Sequence, residues 1–293
     1  MKKWKKVTTI LTAALISQSS YPCSEDGKDG FVEENNLWIS ADAKKVSNVT
    51  EGTFHKIIDD IKGIYAPVVA EKGATLEVER FWDNGTVNAY ARRSGNTWFV
   101  AMYGGLARHE TVTPDGFALV VCHELGHHLG GVPKKKSYWG TTWASNEGQS
   151  DYFGALKCLR RYFEGDNNQE VVANMEIPDV VRERCDDSFA TNEEVAICLR
   201  SSMAGYSLGK LLGTLGRTPD ISFDSPDRSI ASRTNHNHPK AQCRLDTYFA
   251  GSVCTVHHSV DVSDSDYVDG TCTSKENYDL GTRPLCWFNS EVL

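Results

Sequence analysis

No stretch of this 293-residue sequence supplies the ~20 consecutive apolar residues that a membrane-spanning helix needs. The one apolar run near its start, Val7 to Ile16, is far shorter than that. The sequence has no internal repeat and no low-complexity tract, which excludes repeat architectures and compositionally disordered chains. No two cysteines have the close spacing of a zinc-finger pair. The acids Asp261, Asp264, Asp266 and Asp269 do not fit the order of a calcium-binding EF-hand loop. Positive charge is also scarce: 31 Lys and Arg stand against 39 Asp and Glu, a formal charge of −8. Such a balance argues against nucleic acid or an anionic membrane surface as a partner.

The positive charge present is concentrated at the start. Lys2, Lys3, Lys5 and Lys6 precede the Val7–Ile16 run, and small polar residues follow to Ser20. This is the layout of a secretory signal peptide over residues 1–20, and it implies export to the periplasm or the extracellular space. Its removal takes four lysines and no acids, moving the formal charge from −8 to −12. Residues 21–36 are polar and acidic and are expected to form a flexible leader or a very short propeptide. Export and nine cysteines together suggest a disulfide framework. Nine is odd, so one cysteine stands over; Cys122, in an apolar helix beside the motif described below, is the expected unpaired one.

Apolar residues at three- and four-residue spacing predict a helix over 53–69. Alternation then predicts three antiparallel strands, Thr75–Trp82, Thr86–Arg92 and Thr97–Tyr103, turning at Asn84-Gly85 and at Ser94-Gly95-Asn96. Further helices are expected over 115–129, 147–163, 192–212 and 240–251, with an irregular stretch over 216–238. Lys134 to Lys136 are expected in a solvated loop. The segment 253–293 reads as a disulfide-pinned extension following a domain over 37–252. The fold class is α+β, a small antiparallel sheet packed on helices.

The chemistry centres on His123-Glu124-Leu125-Gly126-His127. On a helix, residues i and i+4 share a face about one turn apart, so both imidazoles can point at one Zn²⁺. Glu124 is then placed to act on a metal-activated water as general base. A catalytic zinc site wants a third protein ligand and an open fourth position. A histidine ligand in the extended metzincin pattern would fall at 133, which is Pro133. A glutamate on the next helix is available at Glu147, 20 residues after His127, with Asp151 one turn further on. Asp151 can accept an N–H from a metal-bound histidine and fix its ring. His128 points about 100° away from the ligand face and is not a ligand. His236, His257 and His258 are expected as surface residues and Tyr248 as a core residue. His238 is open to two roles, bonding an oxyanion or capping the open metal position, and Arg244 can stabilise the same developing charge.

With these motifs the sequence resembles the gluzincin peptidases, and within them the family of the CAAX prenyl protease and HtpX. Asn88-Ala89-Tyr90-Ala91 is similar to that family's Asn-Ala-Phe strand, Gly104-Gly105-Leu106 to its Gly-Leu turn, and His238-Pro239 with Arg244 to its late His-Pro…Arg motif. The short His127–Glu147 connection and the Asn146-Glu147…Ser150-Asp151 wording also resemble thermolysin-type enzymes. The resemblance implies a zinc endopeptidase that binds protein or peptide substrates along strand Asn88–Ala91, with one Zn²⁺ per chain. It also implies that His238 approaches the metal or the scissile carbonyl. The rival expectation is a metal-binding assembly or quality-control factor that is not catalytic, or is latent with its site capped by a histidine.

Overall fold

A computed structural model describes residues 30–43, 47–137 and 140–292. The signal-peptide segment 1–20, the first nine residues of the expected leader and Cys23 lie outside the described residues. The helical stripe expected over 53–69 becomes α1, Glu51–Glu71. Thr50 caps it, its hydroxyl accepting the Thr53 amide at 3.1 Å. Its apolar face, Phe54, Ile57, Ile58, Ile61, Tyr65 and Val69, is buried in the main core.

Three strands follow, β1 (Thr75–Phe81), β2 (Ala89–Ser94) and β3 (Thr97–Tyr103), in the order β1-β3-β2. The β2–β3 pair is the expected antiparallel hairpin, turning at Gly95. The β1–β3 pair is parallel, in register from Thr75↔Thr97 to Phe81↔Tyr103. The expected all-antiparallel sheet is therefore corrected to a mixed one, and Asn84-Gly85 is not a hairpin turn. Backbone groups of residues 82–86 are committed elsewhere. Asn84 O accepts from Gly105 N at 2.9 Å and Thr86 O from Leu106 N at 3.1 Å. The buried Arg108 guanidinium donates to Trp82 O and Asn84 O. These bonds dock the segment on α2 (Gly104–Ala107) and carry it past β1, leaving β2 as an edge strand.

The helix α3, Pro114–Leu129, runs through the middle of the molecule and is buried from Gly116 to Leu129. Thr113 caps it, Pro114 occupies its first turn, and α1, the sheet and the later helices α4 (Glu147–Phe153) and α8 (Asn192–Leu215) pack around it. The short hairpin of β4 (Lys134–Ser137) and β5 (Gly140–Ser145) links it to α4, Glu147–Phe153. The expected solvated Lys134–Lys136 loop is thus a strand, and pleating turns Lys135 into the interior. From α4 the chain continues through a π-helical turn, Gly154–Leu159, into α5, Arg160–Phe163. Together these span the helix expected over 147–163. Cys158 on the π turn faces Cys122 on α3, and the two are disulfide-bonded with Cα atoms 5.4 Å apart. Cys122 is therefore not the unpaired cysteine. Cys185–Cys198, Cys243–Cys286 and Cys254–Cys272 are also bonded.

The remaining helices are α6 (Asn168–Ala173), α7 (Asp179–Ser188), α8 (Asn192–Leu215) and α9 (Ala241–Val253). Among the described residues no helix is long and apolar enough to cross a membrane. Cys243–Cys286 and Cys254–Cys272 tie down the segment 253–293. The C-terminal segment is fastened to α4: Trp287 is wholly buried against Gly148, Arg283 donates to Gln149 Oε1 at 2.7 Å, and Tyr152 OH donates to Gly281 O. The described part of the leader is not loose, since Phe31 and Val32 are 0% and 3% exposed in the main core. Two apolar residues in an acidic stretch find more burial there than the polar composition suggests.

Replacing Cys122 and Cys158 together with alanine is expected to destabilise the fold by about 4 kcal/mol, because their bond closes a 36-residue loop. Chemical denaturation against wild type reads this. The eight bonded cysteines are expected to resist alkylation in unreduced protein, which peptide mass mapping checks.

Candidate metal centre

The two histidines of α3 stand one turn apart with ring planes at 88° and centroids 4.8 Å apart. Each ring is fixed through its Nδ1. His123 Nδ1 is 2.7 Å from Asp151 Oδ1, and His127 Nδ1 is 2.8 Å from the Ser145 carbonyl oxygen at the end of β5. A carbonyl only accepts, so His127 Nδ1 carries the proton and Nε2 keeps its lone pair. The Asp151 carboxylate selects the same tautomer at His123. Both Nε2 atoms are buried and make no hydrogen bond with any described residue.

Glu147, the first residue of α4, faces them. Its Oε2 lies 3.2 Å from His123 Nε2 and its Oε1 lies 3.7 Å from His127 Nε2. Ligand atoms held 2.0–2.2 Å from a tetrahedral ion sit roughly 3.4 Å from one another. The ligand atoms of His123, His127 and Glu147 all lie within 4.8 Å of each other, so the three fit a single metal ion. A second such group, Asp227, Cys243 and Cys286, has both sulfurs tied in a disulfide. Gly126 permits the geometry, since a Cβ there would come 2.9 Å from the Ser150 Cα on α4.

Burial raises the cost of charge on Glu147, but the facing His238, Lys135 and His127 outweigh it and hold its carboxyl well below the usual range. Asp151 behaves likewise: burial pushes it up, and Arg244 and His123 hold it below its ordinary value. In the metal-free chain burial lowers the His123 pKa, yet Asp151 and Glu147 prevail and raise it to about 9. Burial takes His127 well below its ordinary value despite Glu147. Glu124, between the two histidines in sequence, is fully buried in the same helix.

The other expected residues are placed as follows. His238 Nε2 is 3.3 Å from Glu147 Oε2 and bonds the Gly30 carbonyl oxygen at 2.8 Å. It is outside the three-residue ligand group. Arg244 is expected at a developing charge but is instead bound to the second carboxylate. Its Nε and Nη2 donate to Asp151 at 2.7 and 2.8 Å, and its Nη1 donates to Phe31 O at 2.7 Å. Asn88 and Ala89 hold the backbone of residues 31 and 32. Tyr90 packs edge-on to Tyr103, and Ala91 is buried in β2. His128 is stacked between Trp98 and Trp143 with Nε2 on Phe99 O, and burial pushes its pKa down to about 3, in keeping with a non-ligand. Tyr248 is a core residue.

Two contributors are invisible to the motif. Lys135 Nζ lies 2.6 Å from Glu147 Oε1, and the Phe31 ring packs edge-on to His123 at 5.1 Å. A run of three lysines does not say which one a strand turns inward. Only the apolar pair Phe31-Val32 in a polar stretch signals the other. No protein-family model, curated protein or solved structure matches the chain.

Asp151→Asn weakens both the His123 and the Arg244 bond, and is expected to lower metal affinity by roughly 10- to 100-fold. Titration against a competing chelator measures it, with circular dichroism confirming the fold.

Proposed function

We propose that the protein is an exported zinc metalloendopeptidase of the gluzincin kind. The observation that carries this reading is the convergence of two orphaned imidazole Nε2 atoms and one buried carboxylate, with Glu124 in the same helix. Two neutral imidazoles and a carboxylate at tetrahedral spacing suit Zn²⁺, and three protein ligands leave the open position that a structural zinc site lacks. Bound zinc supplies a Lewis acid that polarises a carbonyl and acidifies water.

The chain's own residues supply the rest. His123, His127 and Glu147 hold the ion. Asp151 and the Ser145 carbonyl keep both imidazoles in the tautomer that leaves Nε2 available. Glu124 takes the proton of the attacking water and returns it to the leaving amine. His238 Nε2 stands beside Glu147 and donates to a carbonyl oxygen, the role that polarises a scissile carbonyl. Arg244 is a positioning residue acting through Asp151. The β2 edge at Asn88 and Ala89 receives peptide backbone, which gives affinity with little dependence on side chains. Export accords with the four disulfides among the described residues.

Zinc-loaded protein is expected to digest a denatured protein, and a chelator to stop it. Glu124→Gln should keep its zinc while hydrolysis falls by roughly 10²- to 10⁴-fold. Full activity in that variant, or cleavage indifferent to chelator, would remove the mechanism; zinc binding with no cleavage would favour a non-catalytic metal-binding factor.

A further inference from the structure

Residues 30–32 lie along the candidate site and are held as a peptide would be, through consecutive backbone groups. The Gly30 carbonyl oxygen accepts from His238 Nε2 at 2.8 Å. The Phe31 N–H donates to Ala89 O at 2.9 Å. The Phe31 carbonyl accepts from Arg244 Nη1 at 2.7 Å. The Val32 N–H donates to Asn88 Oδ1 at 3.1 Å, and its carbonyl accepts from Asn88 Nδ2 at 3.0 Å. Packing of core side chains needs none of these side-chain contacts to main chain.

The position of one bond within this set is specific. His238 Nε2, which holds the Gly30 carbonyl oxygen, is itself 3.3 Å from the ligand carboxylate of Glu147. The Phe31 ring, on the other side of the bond, rests edge-on against the ligand His123. The Gly30–Phe31 peptide bond is thereby pinned at its carbonyl by His238 and at its nitrogen by Ala89 O, beside the metal ligands. Gly30 is required for the approach, because a Cβ there would run into Ala89 O and Asn88 Oδ1.

Resting on the peptidase reading above, we propose that Gly30–Phe31 is the protein's own first substrate bond and that the chain cleaves it in cis. Water adds its oxygen to the Gly30 carbonyl carbon, and the bond from that carbon to the Phe31 nitrogen breaks. Both protons of the water end on that nitrogen, the first by way of Glu124. The products are a Gly30 carboxylate and a Phe31 ammonium, which faces Ala89 O. The cut turns residues 31 and 32 from an internal segment into a chain end. Chain ends fray more readily than internal segments, so a peptide supplied in trans displaces residues 31 and 32 at lower cost.

The full chain, its Glu124→Gln variant and its Gly30→Ala variant test this, with the N-terminus read by intact mass and N-terminal sequencing. Zinc-loaded wild type is expected to begin at Phe31-Val32-Glu33, with a rate of appearance unchanged by tenfold dilution. Chelated wild type and zinc-loaded Glu124→Gln are expected to keep the bond. Gly30→Ala is expected to cut there at least tenfold more slowly while still digesting denatured protein. In Glu124→Gln, hydrogen exchange at the Phe31 and Val32 amides is expected to be slow; fast exchange would show the segment undocked and overturn the proposal. A Gly30–Phe31 bond left intact while denatured protein is digested overturns self-cleavage alone. A Phe31 terminus in Glu124→Gln also overturns it, by assigning the cut to another protease. A zinc-loaded wild type that cuts neither itself nor a denatured protein sinks the peptidase reading as well.

Discussion

Asp151 is wholly buried, and its environment keeps it ionised. An isolated carboxylate in such a place costs several kcal/mol, so the surrounding chain has to answer it. It does so from two directions. Arg244 of α9 grips both oxygens in a planar fork, and His123 of α3 donates to one of them. The remaining guanidinium nitrogen, Nη1, binds the Phe31 carbonyl. Three parts of the chain, α3, α9 and the segment at Phe31, thus meet at one side chain of α4. Moving α3 or α9 unpairs a buried charge, and moving the segment leaves a buried guanidinium N–H without its acceptor, which helps explain why a stretch as polar as residues 30–36 is partly ordered into the core.

The same reasoning separates Asp151 from Glu147. Asp151 has its neutralising partners built in. Glu147 has a lysine on one oxygen and, on the other, only histidines whose Nε2 atoms make no hydrogen bond to it. The orphaned donors are a folding cost that a bound cation removes, because ligand lone pairs and charge are then satisfied together. The structural residue of the pair is the one with a complete set of bonds, and the functional one is the one without.

Much of this is legible in the sequence, for definite reasons. His123 with His127, and Glu147 with Asp151, are each spaced by one helical turn, and helix geometry is local, so each pair follows once its helix is assigned; the meeting of the two pairs rests on the α3–α4 contact. The long helices α1, α3, α8 and α9 carry their own periodicity and lie close to where it puts them. What fails is what depends on partners distant in sequence. The parallel pairing of β1 with β3 is decided by bonds from residues 84–86 to α2, which alternation cannot register. Lys135 is turned inward by its place in a two-stranded hairpin, and Arg244 is drawn to Asp151 from 93 residues away. The partner of Cys122 is hidden from the sequence for the same reason: Cys158 lies across the α3–π-turn contact.

The Cys122–Cys158 disulfide bears on the candidate metal centre as well as on stability. Cys122 immediately precedes His123 on α3, and Cys158 belongs to the helical stretch that Glu147 begins. The bond therefore ties together the two elements whose separation sets the distance between imidazole and carboxylate. Gly126 opposite Ser150 brings the same two helices into close approach. Buried Trp287 and Arg283 brace α4 at Gly148 and Gln149. A site formed by helices that can slide would lose ligand alignment with an ångström of movement, whereas these contacts hold the donors at tetrahedral spacing before an ion arrives. The Cys122–Cys158 bond and the candidate ligands thus answer one requirement: covalent closure between α3 and the helical stretch that α4 begins helps the chain keep two imidazoles and a carboxylate converged in its interior.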